Sequence, residues 1–138
     1  MFKKIVLPGL VSGVVITVVG MAVSMLIGLM LPGLSSQYQN AGLFRPWSDP
    51  KMQIFFAYPF LLGLGLAYVW DKVKGSVSGN IWKRTWTLML GVFVISTIPG
   101  MTITYSTFTV SLLMVMSWTL GALVQLYLAG VILAKMNG

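Results

Sequence analysis

The feature that most restricts this chain is the spacing of its charges. Charged residues stand only at Lys3, Lys4, Arg45, Asp49, Lys51, Asp71, Lys72, Lys74, Lys83, Arg84 and Lys135, which leaves uncharged tracts from Ile5 to Phe44, Met52 to Trp70 and Thr85 to Ala134. A hydrocarbon layer of about 30 Å is crossed by roughly 20 apolar residues in a helix. The first two tracts each accommodate one such span. The third is too long for one, because about 50 residues at about 1.5 Å each would reach about 75 Å. It has to fold back on itself. Only 8% of the 138 residues are charged and 57% are hydrophobic, where a soluble domain carries about 25% charge.

The expected architecture is an all-α integral membrane protein, one four-helix transmembrane bundle over residues 1–138, with spans at about 5–31, 50–70, 82–98 and 107–134. The break in the third tract is placed at Pro99-Gly100, where proline removes a backbone donor and glycine relaxes the limits on φ. The stretch Ser96 to Ser111, "STIPGMTITYSTFTVS", carries eight serine and threonine hydroxyls and no charge. Thr102, Thr104 and Ser106 alternate with Ile103 and Tyr105, but an unpaired strand is untenable in lipid. The stretch therefore reads as an irregular hairpin at the outer surface.

The net charge of +7 follows the ends of the spans and forms no nucleic-acid-binding segment. Lys3, Lys4, Lys72, Lys74, Lys83, Arg84 and Lys135 fall on one side of the expected topology, against Arg45 and Lys51 on the other. The positive-inside bias puts both termini in the cytoplasm. The run from Ile5 to Leu31 exceeds a signal-peptide core and lacks a small-x-small cleavage pattern, so it reads as a retained span.

In span one, Gly9, Gly13, Thr17, Gly20, Ser24 and Gly28 recur at intervals of three or four and form one small-residue stripe. Such stripes let helix backbones approach closely, against the chain's own spans or against a second copy or a membrane partner. Ser48 or Asp49 before Pro50 marks a helix start. Tyr58-Pro59 is expected to kink span two, and Gly63 with Ala67 adds a second small face. Tyr68, Trp70, Trp82 and Trp86 fit an interfacial aromatic belt, and the neighbouring cations favour anionic membrane lipids. In span four, Trp118, Gly121 and Gln125 share a helix face. Gln125 is the clearest intramembrane amide, and it should turn inward to bond a partner helix.

The chain has no Cys, His or Glu, which excludes thiol chemistry, heme and ordinary zinc or iron sites within it. Asp49 and Asp71 are assigned to opposite surfaces and cannot form an acid–base pair, and no base is available to activate a hydroxyl. No cofactor and no enzymatic activity are expected. "YQNAGLFR", "LGLGLAYVWDKVKG" and "SWTLGALVQLYLAGVILAK" together resemble the small four-span prokaryotic membrane proteins of unknown function. That resemblance implies the cytoplasmic (inner) membrane of a prokaryote and no particular activity. The expected role is that of a self-associating unit or an accessory subunit acting through helix packing. The alternative is a passive path for a neutral or weakly polar solute, lined by Gln125 and the hydroxyls of Ser96 to Ser111.

Overall fold

The computed structural model describes residues 1–40 and 42–138, and every regular element in them is helical. Four continuous helical stretches are long and apolar enough to cross a membrane: Phe2–Met30, Pro50–Ser76, Ile81–Thr107 and Leu112–Met136. The first consists of a π turn, Phe2–Val6, and α1, Leu7–Met30, after which α2, Pro32–Gln37, opens the long loop. The second begins as a 3₁₀ helix, Pro50–Phe56, becomes α3, Tyr58–Val73, and ends in a short 3₁₀ turn, Lys74–Ser76. The third is α4, Ile81–Val92, a π turn, Phe93–Thr97, and α5, Ile98–Thr107. The fourth is α6, Leu112–Met136.

Local chemistry accounts for the starts. The Asp49 carboxylate accepts from Lys51 N at 2.9 Å, as the Asp-Pro pair predicts, and Pro50 and Pro59 both fall in first turns, where a missing N–H costs nothing. At Tyr58-Pro59, where a kink is expected, the helix type changes from 3₁₀ to α at Ala57. Asn80 caps α4 through Lys83 N at 2.9 Å, after Gly79 turns the chain with a φ of +124°. Ser111 caps α6 through Met114 N at 3.2 Å.

The break expected at Pro99-Gly100 is absent. The third helix runs through that pair to Thr107, and the turn is made by Phe108 to Ser111. The π turn explains the difference. Ile98 N donates to Phe93 O, five residues back, so the helix is locally widened just before Pro99, where an α-helical carbonyl would otherwise meet the proline ring. Pro99 then sits in the first turn of α5. The period-two pattern of Thr102 to Ser106 is helical too: Thr102 and Thr104 hydroxyls donate to the carbonyls of Ile98 and Gly100 at 2.9 Å each, which satisfies them within the helix.

Packing is uneven. α1 lies between α3 and α6, and α4 packs on α6. Ile16, Leu66, Ala67, Trp70, Met89, Phe93, Leu126, Ala129, Leu133 and Ala134 form the core. It occupies the half of the bundle nearer Lys4, Lys74, Arg84 and Asn137, called here the basic end.

Candidate functional site

Two polar places stand out in this apolar molecule. The first is near the middle of the bundle. The Gln125 side-chain amide donates to Ile16 O at 3.0 Å, which fastens α6 to α1. A Cβ on Gly20 would collide with that amide nitrogen, so the glycine makes room for the bond. Trp118, two turns earlier on the same face, donates through Nε1 to the Tyr38 hydroxyl at 2.6 Å, and Gly121 lies against Val23. The shared face thus meets α1 and the segment following α2. Gln125 also lines a cavity of about 50 Å³ together with Tyr58, Leu62, Ser96, Thr97, Ala122 and Leu126. The cavity lies where α3, the π turn and α6 face one another.

The small-residue stripe divides along its length. A Cβ at Gly9 would stand 2.9 Å from Leu64 Cα, and one at Gly13 2.9 Å from Phe60 Cα, so both glycines are close-approach points for α3. Gly63 answers from the other side, where a Cβ would strike Gly9 O and Gly13 N. The Thr17 hydroxyl donates to Gly13 O at 2.9 Å. Beyond Gly20 the stripe leaves the interior: Ser24 is exposed, and a Cβ at Gly28 would have only the Ser35 hydroxyl near it, at 3.7 Å. The buried Ser12, which donates to Ala129 O at 3.5 Å, belongs to the same seam but lies off the stripe.

The second place is at the basic end, and sequence reasoning missed it. Asn137, only 7% exposed, gathers three helices. Its Nδ2 donates to Lys4 O and to Asp71 Oδ1, both at 2.9 Å. Its Oδ1 accepts from Lys74 Nζ, and its backbone carbonyl accepts from Trp70 Nε1 at 3.0 Å and from Lys74 Nζ at 3.1 Å. Arg84 joins by donating to Lys74 O at 3.2 Å, with its guanidinium 5.8 Å from the Trp70 ring centre. Arg84 Nε and Thr85 Oγ1 are enclosed without a hydrogen-bond partner. Both polar atoms of the Asn137 side chain are used, so the arrangement acts as a clasp between helix ends. Trp70, assigned from the sequence to the interfacial aromatic belt, is instead fully buried beneath this clasp, and sequence reasoning gave Asn137 no role.

At the opposite end, Arg45 and Asp49 pair at 3.0 Å. Lys51 N–H and the Arg45 guanidinium hold the Asp49 carboxyl below its usual range. Trp47, Phe55 and Phe56 form an exposed aromatic cluster beside them, with ring centres 5.8 to 6.0 Å apart. Comparison of the chain with known protein families, curated proteins and solved structures returns no match.

Proposed function

We propose that the chain is a non-enzymatic integral membrane protein of a prokaryotic cytoplasmic membrane, with both termini inside, acting through helix packing as a self-associating unit or an accessory subunit. The observation that carries this reading is α5. It forms the outer half of a spanning-length helix yet buries no residue against the rest of the chain. Its exposed side chains mix β-branched, aromatic and self-satisfied hydroxyl groups, a surface suited to helix contact in lipid. The stripe of α1 is a weaker candidate for a partner, since Gly9, Gly13 and Gly20 are occupied by the chain's own α3 and α6. A passive path draws less support, because Thr102, Thr104 and Ser106 turn their hydroxyls to their own helix carbonyls and line no opening with Gln125.

Cysteine cross-linking in native membranes tests the proposal on a chain without native thiols. Gly100→Cys and Tyr105→Cys on α5 should give one cross-linked product of defined mass. Val14→Cys and Met25→Cys, on the outward face of α1, should not. A product of twice the chain mass means self-association, and a product with one other defined chain means an accessory role. Equal cross-linking at all four positions, or none on α5, would remove the basis for the reading.

A further inference from the structure

Some in-span hydroxyls of this chain return to their own backbone. Thr17, Thr102, Thr104, Ser117 and Thr119 each donate to a carbonyl three or four residues back. Ser96, exposed on the flank of the bundle, and the half-buried Thr97 form no such bond, and both line the partly open cavity that Gln125 also lines. They belong to the π turn, whose register gives Phe93 O to Ile98 N and so shifts the carbonyls that these hydroxyls would reach in an α-helix. Gln125 commits an amide hydrogen to Ile16 O, which leaves its side-chain carbonyl to be satisfied from elsewhere. Three polar side chains with unused capacity therefore border one space at the depth where each stretch, Pro50–Ser76, Ile81–Thr107 and Leu112–Met136, is near its middle.

A cavity stays dry when its walls are apolar and takes up water when it offers about two to four polar partners and at least about 10–15 Å³ for each molecule. This one has about 50 Å³ and the required partners. It is too small for a metabolite-sized solute, for which pockets run to about 300 Å³ or more. We propose that the cavity between α3, the π turn and α6 is a binding site for ordered water, held by the Gln125 side-chain carbonyl and the hydroxyls of Ser96 and Thr97. The water completes the hydrogen bonding that the π turn leaves open, near the middle of the helices' length. The space exists because α3 and the third helix both pack on other elements and do not close against each other.

Water-edited solid-state NMR of the protein in lipid bilayers tests the site. Polarisation starting on water should reach the Ser96 and Thr97 amides and the Gln125 side-chain amide as fast as it reaches Asn80 in the loop. It should reach Leu66 and Val18, dry positions of α3 and α1, much later. In Ser96→Ala the transfer to Thr97 and Gln125 should fall, and in Gln125→Leu it should be lost at Ser96 and Thr97. Slow transfer to all three groups in the unaltered protein overturns the proposal. Fast transfer that neither substitution changes also overturns it, since the water would then lie elsewhere. Should Gln125→Leu fail to assemble, Ser96→Ala combined with Thr97→Val decides by the same loss.

Discussion

The two halves of the third long helix share a backbone and little else. α4 places Thr85 and Met89 one turn apart against α6, and Phe93 continues the same face into the π turn. Opposite them Gly130 presents bare backbone: a Cβ there would collide with Met89 Cγ and lie 2.9 Å from Thr85 Cγ2. Trp86 and Tyr127 close the edge of this contact, ring to ring at 5.6 Å. α5 has the opposite arrangement. Its own glycine, Gly100, has nothing within 4 Å, and no residue of the element is buried. Apolar composition is common to both halves, so it does not decide which one packs. A glycine on the facing helix does, because without hydrophobic contrast between helix and lipid the gain comes from close backbone approach.

Large-to-small substitutions should separate the halves most. Met89→Ala leaves a cavity that lipid cannot enter and should cost about 2 kcal/mol, while Ile103→Ala, at a position 63% exposed, should cost almost nothing. Unfolding both variants in mixed micelles of rising sodium dodecyl sulfate content measures the difference. The contrast belongs to the dissociated chain, and similar losses at the two sites would mean that the second chain proposed to cover α5 stays bound in the micelles.

The glycines sharpen the comparison at smaller amplitude and with a change of sign. Gly130→Ala forces Met89 aside and should destabilise by about 1–2 kcal/mol. Gly100→Ala meets open space and should stabilise by about 0.5 kcal/mol through helix propensity alone. The same titration reads both, and matching signs would refute the explanation from facing glycines.

The smallest effect belongs to the far end, where Asp49 caps the second helical stretch. Its carboxyl is held below the usual range by Lys51 N–H and by Arg45, so its contribution is present above the ordinary carboxylate pKa. It fades as the pH falls through the lowered folded value. A slight loss of stability on acidification, removed in Asp49→Ala, is the expected outcome. The residue is half-buried at the loop surface and screened by solvent, so a large acid effect would have to come from another group.

The four helices were readable because charge spacing and hydrophobic length act over twenty residues at a time. Asp49 and Gln125 were readable for a different reason, since each has one inexpensive way to satisfy its oxygen or amide. Pro99-Gly100 misled because a breaker pair is judged on α-helical geometry, and the π turn that rescues it has no residue signature in Phe93–Thr97. Proline is also better tolerated where neighbouring helices and hydroxyls can take up the freed backbone groups. Asn137 was invisible because its partners, Lys4, Trp70, Asp71 and Lys74, become neighbours only when three separate helix ends converge. Ser12 and Thr85 escaped notice for the same reason.

The clasp at Asn137 has a bearing on the order of assembly. Lys4 O and Asn137 Nδ2 are 133 residues apart in the chain, and the principal packing partner of α4 is α6, which follows it. The α1–α3 seam, with its interlocked glycines, can close while the rest of the chain is still being made. α4 and α5 then wait without a lateral neighbour for about thirty further residues, a few seconds at roughly 5–20 residues per second. Through that interval the third helix is held by its own apolarity alone. The arrival of α6 supplies its partner and, with the last turn, fastens the first residues to the last.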